Sequence, residues 1–285
     1  MSTATLPEGA HQPRLREAAD GVFACAQPDG GWCLDNVGLI VSKSRSALID
    51  TAATEDRARA LKQAVGAVVF RPPGYVVSTD SHGDRTFGNH LFAQDAVIIT
   101  HEKAREEVEA VGLHLTGLHL TGLHLTGLRP DVRWGELSVE LPTLTFRDTL
   151  TLHVGDVRAE LIRLGPAHTA DDTIVWLPEQ RVLFTGDLIM SGATPFCLMG
   201  SVSGSIAAAE RLRALGPLTV VAGQRPVARP ELLDTTRDYL RLLQRVAQES
   251  VASGTTPGRP PEPPTSGPTR TCSTRSVWCR NVHRA

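Results

Sequence analysis

The chain has 285 residues, 41% hydrophobic and 21% charged, which suits one large α/β domain or two small ones. Its formal charge of −2 gives no basic field to attract nucleic acid, and no apolar run approaches the roughly 18–20 residues that cross a bilayer. Residues 1–13 form a polar, flexible lead-in without the apolar centre of a signal peptide, so a cytoplasmic protein is expected. The five cysteines, Cys25, Cys33, Cys197, Cys272 and Cys279, are scattered without a C-x-x-C pair and read as isolated reduced thiols.

In chain order, Gly21–Gln27, Trp32–Val41 and Ala47–Asp50 have strand-like apolar content. Ala53–Val65 has helical spacing, with Thr51 or Thr54 as its cap. Tyr75–Thr79 is a short apolar strand ending in a polar cluster. Ala96–Thr100 is another strand and His101–Val111 a charged helix. The second half repeats this grammar: strands at Leu150–Val154, Ala159–Leu164, Thr173–Leu177 and Val182–Thr185, a helix at Ser205–Leu215, a strand at Leu218–Ala222 and an amphipathic helix at Pro230–Ser253. Two similar halves, with helices outside two sheets, would produce this order, and so would a doubly wound sheet. The last helix could pack on the core or against a second copy in a homodimer.

Two segments break the pattern. Residues 112–127 contain G-L-H-L-T three times, with His114, His119 and His124. A step of five residues turns a helix by about 140° beyond one turn, and in a strand it alternates faces. Neither conformation gathers the three rings, so an expanded surface loop is expected rather than a metal site. Residues 256–285 are rich in Pro, Gly, Ser, Thr and Arg and are expected to be disordered. The folded domain is accordingly placed at residues 14–255.

The polar loops carry the chemistry. Tyr75–Asn89 reads Y-V-V-S-T-D-S-H-G-D-R-T-F-G-N. Asp80 and His82, two apart, share a direction in an extended chain, and Asp84 follows on a turn that Gly83 allows. One imidazole and two carboxylates suit a zinc-like ion. His168 follows in G-P-A-H-T-A-D-D, Asp187 in L-F-T-G-D-L and Gln224 in V-V-A-G-Q-R-P-V, each just beyond an apolar strand.

In order and spacing these motifs resemble the metallo-β-lactamase superfamily, over residues 15–253. D-N-V-G-L-I-V, L-I-D-T, T-F-G-N and G-P-A-H-T fit the same pattern. The resemblance implies an αββα sandwich of class α/β: two β-sheets flanked by helices. It implies a first zinc site from the residues at 80, 82 and 168, a second from those at 84, 85 and 224, and Asp187 between them. Three positions that hold histidine in that family are here Asp80, Arg85 and Gln224. A carboxylate can ligate zinc, but a guanidinium has no lone pair to give. One zinc ion is therefore expected. Asp84 is the expected proton acceptor, and Arg85 is expected to act as a fixed positive charge paired with Asp84 or Asp187.

Within the superfamily, Gln27–Asn36, Leu141–His153 and Met190–Ser205 resemble actinomycete cyclases of aromatic (type II) polyketide pathways. That likeness implies a metal-dependent cyclase or hydrolase in antibiotic biosynthesis. Its partner would be a polyketide, free or bound to an acyl carrier, with no nucleic acid and no membrane. Phe196, Leu198 and Met199 would then meet an apolar substrate. Two other readings stay open: a metal-poor relative with an impaired site that acts as a binding protein, and a zinc hydrolase of another ester or thioester.

Overall fold

The structure is a computed structural model, which describes residues 13–26, 35–112, 132–197 and 199–254. The three repeat histidines, residues 256–285, Cys33 and Leu198 lie outside the described residues. Residues 1–240 and 241–285 form two compact units, and the first contains both sheets.

The first sheet has seven strands in sequence order: β1 (Leu15–Ala19), β2 (Val22–Cys25), β3 (Val37–Val41), β4 (Ser46–Ile49), β5 (Tyr75–Val77), β6 (Val97–His101) and β7 (Leu144–Phe146). Strands β1 to β4 pair antiparallel, and β4 to β7 pair parallel. The second sheet has five: β8 (Thr149–Val154), β9 (Val157–Arg163), β10 (Thr173–Leu177), β11 (Val182–Phe184) and β12 (Thr219–Val221). Its strands are antiparallel except for the parallel pair β11 and β12. The helices are α1 (Glu55–Gly66), α2 (Gly83–Thr86), α3 (Glu102–Val111), α4 (Val202–Ala214) and α5 (Glu231–Ala252). None of the described helices is long and apolar enough to cross a membrane.

Period-two alternation along the strands sorts the apolar residues into three layers. In β4, Ala47 and Ile49 face the space between the sheets while Leu48 faces outward. In β10, Val175 and Leu177 face inward while Ile174 and Trp176 face outward. The outer face of the first sheet is covered by Leu61 and Val65 of α1. That of the second is covered by Ala208, Ala209 and Leu212 of α4, with Leu233 of α5. This is the αββα sandwich.

Most expected elements are present, with shifted ends. The helix expected from Ser205 begins at Val202, because the Ser201 side chain accepts from Gly204 N and caps it. Gly204 lies inside that helix because a Cβ there would come within 1.9 Å of the Pro166 carbonyl oxygen. Thr54, one of the two caps expected for α1, holds the N-cap position without a side-chain bond. The strand expected from Trp32 begins at Val37, and Asp35 and Asn36 turn off to the site described below. Strands β1 and β7 are additional to those expected.

Leu161 is fully buried between the sheets. Leu161→Ala is expected to cost about 2–5 kcal/mol of unfolding free energy, checked by urea denaturation. A loss under about 1 kcal/mol would contradict a packed inter-sheet layer at this position.

Candidate metal centre

Five strand ends supply the centre. Asp50 follows β4, Asp80 to Arg85 follow β5, His168 lies between β9 and β10, Asp187 follows β11, and Gly223 follows β12. Asp50 leaves its strand with φ of 62°, a left-handed conformation that Asp tolerates better than most residues. Its carboxylate accepts from Thr79 N and Thr79 Oγ1, both at 2.8 Å, which ties the end of β4 to the end of β5.

Two groups of side chains converge. In the first, Asp80, His82 and His168 each offer one donor atom, all within 4.8 Å of one another. His82 Nδ1 faces His168 Nε2 at 3.2 Å and Asp80 Oδ1 at 3.6 Å. His168 Nδ1 lies 2.7 Å from the Phe196 carbonyl oxygen, an acceptor, so Nδ1 carries the proton and the Nε2 lone pair points at the cluster. The loop below is held by Asp172. One of its oxygens accepts from Ala167 N and His168 N, and the other from Thr169 N and Thr169 Oγ1. Two imidazole nitrogens and one carboxylate, with a fixed tautomer behind one of them, fit a zinc-type ion.

In the second group, Asp35, Asp84 and Asp187 bring carboxylate oxygens within 4.8 Å of one another. A second ion bound through the residues at 84, 85 and 224 does not fit here. The Arg85 guanidinium, with 0% exposure, lies against the same carboxylates, its Nη2 2.5 Å from Asp187 Oδ1 and 3.5 Å from Asp35 Oδ1. Gln224 is half-buried, and its backbone bridges to Met190. Asp84, half-buried, groups with the carboxylates rather than with the histidine pair.

Burial pushes the Asp50 carboxyl up to about 7, against the pull of Arg85. Asp35 is raised well above the usual carboxylate range by burial, with Asp84 and Asp187 adding to it against Arg85. For Arg85, burial opposes the charge, but the Asp187, Asp35, Asp50 and Asp80 carboxylates outweigh it and hold the guanidinium protonated. Asp80 has burial against it too, yet His82 and Arg85 keep it below its ordinary value. His168 is raised, because Asp187 and Asp80 outweigh its burial.

The structure thus gathers Asp80, His82 and His168 in one group and Asp84 and Asp187 in another, with Arg85 against Asp187 and 4.0 Å from Asp80. Of the two expected partners of Arg85, Asp187 closes the pair. Gly83 does not serve a left-handed turn: it opens α2, and a Cβ there would strike the Phe87 ring at 2.4 Å. Phe196, expected against substrate, orients His168 through its carbonyl and packs its ring 5.8 Å from the imidazole. Met199 is half-buried in the same loop. Asp35, Asp50 and Asp172 are additional site residues. All three lie in motifs visible in the sequence, D-N-V-G-L-I-V, L-I-D-T and H-T-A-D-D.

The sequence pattern of the metallo-beta-lactamase superfamily matches residues 30–224. The chain belongs to this superfamily. Its fold is similar to that of a metallo-beta-lactamase from Pontibacter korlensis, at 21% identity and a TM-score of 0.62, covering 81% of this chain and 99% of that one. It is similar also to DIM-1 metallo-beta-lactamase, at 18% identity and a TM-score of 0.63 over 82% of this chain and 99% of that one. TMB-1 gives the same identity, TM-score and coverage. At these identities the likeness is one of fold.

Asp171 offers a test of how the centre stores charge. It is buried, its Oδ2 has no hydrogen-bond partner, and burial with the nearby Asp80 pushes it up to about 6. A carboxyl raised in the fold favours the folded state below its unfolded pKa and loses that contribution as pH rises through the folded value. The metal-stripped protein is therefore expected to weaken between about pH 4 and pH 7. Asp171→Asn is expected to match wild type near pH 4 and to exceed it by about 1–3 kcal/mol at pH 8, read by denaturant unfolding at both pH values. Equal stability at pH 8 would contradict this placement of Asp171.

Proposed function

We propose that the chain is a single-metal enzyme that activates a carbonyl group, and that its substrate is a polyketide intermediate in aromatic antibiotic biosynthesis. The convergence of Asp80, His82 and His168, with the His168 tautomer fixed by Phe196, carries the reading. Zinc is the ion that this nitrogen–oxygen donor set suits best. When bound, it supplies Lewis acidity toward a ketone or thioester carbonyl.

The other steps belong to the chain. Asp84, half-buried in the carboxylate group with Asp35 and Asp187, accepts a proton, either from water in thioester hydrolysis or from the acidic C–H between two carbonyls in aldol cyclisation. In cyclisation, loss of that proton generates the carbon nucleophile and Asp84 returns it to the new alkoxide; in dehydration Asp84 takes a second α C–H proton and gives it to the departing hydroxide, which leaves as water; in hydrolysis the proton taken from water goes to the departing thiolate. Arg85 stays protonated and holds Asp187 in place. Phe196 and Met199, in the loop after Asp187, offer apolar contact to the carbon chain. The polyketide assignment is supported by the texture of Gln27–Asn36, Leu141–His153 and Met190–Ser205. The same residues serve a zinc hydrolase of another ester or thioester, so substrate assays include simple acyl thioesters.

One observation favours a second reading, a binding protein with no turnover: Asp80, Arg85 and Gln224 stand where the family resemblance places histidine. The two are separated by zinc content and by thiol release from a β-ketoacyl thioester of N-acetylcysteamine. The enzyme reading expects about one zinc per chain, lost in His168→Ala, and a fall of about 10²–10⁴ in kcat for Asp84→Asn with zinc retained. Protein that takes up no zinc on addition would overturn it in favour of the binding protein.

A further inference from the structure

We propose that Arg85 supplies the second cation of this centre from within the chain, so that the carboxylates Asp35, Asp84 and Asp187 become a metal site only when the guanidinium charge is removed. This rests on the preceding reading only for the ion at Asp80, His82 and His168.

The guanidinium is enclosed on several sides by acceptors. Nη2 meets Asp187 Oδ1 at 2.5 Å and the Gly223 carbonyl at 3.5 Å. Nη1 meets Asp50 Oδ2 at 3.3 Å and the Asn36 carbonyl at 3.4 Å, and Nε lies 4.0 Å from Asp80 Oδ2. Its backbone is pinned as well: Arg85 N donates to the His82 carbonyl, and the Arg85 carbonyl accepts from Thr51 N and Thr51 Oγ1. The side chain therefore has a fixed place, and that place borders the carboxylates that would ligate a second ion. A guanidinium cannot donate a lone pair, and it stays protonated. A dication brought to Asp187 would meet a fixed positive charge in a buried setting, where repulsion is poorly screened.

Asp35 is the matching change on the carboxylate side. It is buried, and burial, with the Asp84 carboxyl beside it, raises it well above the usual carboxylate range. Arg85 Nη2 at 3.5 Å is its countercharge. The same guanidinium nitrogen therefore lies against both Asp35 and Asp187, two of the three carboxylates that would ligate a second ion. Gly223 allows the close fit: a Cβ there would stand 2.1 Å from Asp187 Oδ1 and 2.7 Å from Arg85 Nη2.

The test is a titration of the full-length, metal-stripped chain with Co2+ alone, read by visible absorption and by metal content. Wild type is expected to take up one equivalent even in tenfold excess, and Arg85→Lys, which keeps the charge, also one. Arg85→Met and the pair Arg85→His with Gln224→His are expected to take up two. Two equivalents in wild type, or one in neutral variants that fold by circular dichroism, would overturn the proposal. If no neutral variant folds, the wild-type count decides: one equivalent supports the proposal and two overturn it. Wild type that binds no cobalt would sink the single-metal reading instead. The proposal then stands if the neutral variants gain an equivalent and falls if they do not.

Discussion

A guanidinium removed from water must be matched by acceptors, and in this protein Arg85 collects them from both sheets. Asp35 comes from the approach to β3, Asp50 from the end of β4, Asp80 from the end of β5 and Asp187 from the end of β11. The carbonyl of Gly223 adds the end of β12. One side chain thus ties together the loops that carry Asp35, Asp50, Asp80 and Asp187. Buried ion pairs often break even in stability against apolar packing, while removal of one partner costs about 3–5 kcal/mol. The role of Arg85 is better described as setting a geometry than as adding net stability.

The sandwich below keeps its own chemistry simple. Alternating residues feed three apolar layers. Polar residues concentrate beyond the strand ends, where parallel neighbours β4 with β5 and β11 with β12 deliver loops to a shared edge. The His168 loop reaches the same edge between antiparallel strands and is held by Asp172 rather than by a strand. Helix α4 secures it from the other side through the bond from Ser201 N to the Ala167 carbonyl.

Much of this was legible in the sequence, for physical reasons. The apolar runs that became β3, β5, β10 and β11 are buried on both faces, so their composition is unambiguous. Asp80, His82, Asp84 and Asp187 each sit just past such a run, and His168 lies just before β10. The edge strands were harder to read. Leu15–Ala19 is half-exposed, with a bulge between Glu17 and Ala19, and Leu144–Phe146 is three residues long. Asp35 was hidden for a different reason. It reaches the centre because Asn36 N bonds the Gly223 carbonyl at 2.8 Å and Asn36 Nδ2 bonds the Ala222 carbonyl at 2.8 Å. Those contacts span more than half the chain, and no local pattern announces them. The D-N pair before an apolar strand was the available signal.

The central claim is a centre with one ion, held by two imidazoles and a carboxylate, beside a guanidinium. X-ray absorption at the zinc edge of the zinc-loaded protein tests it most directly. The account predicts an ion with nitrogen and oxygen neighbours near 2.0–2.2 Å, the multiple-scattering signature of two imidazoles, and no metal–metal vector. A zinc–zinc vector at about 3.5–4 Å, or a spectrum without imidazole, would contradict it.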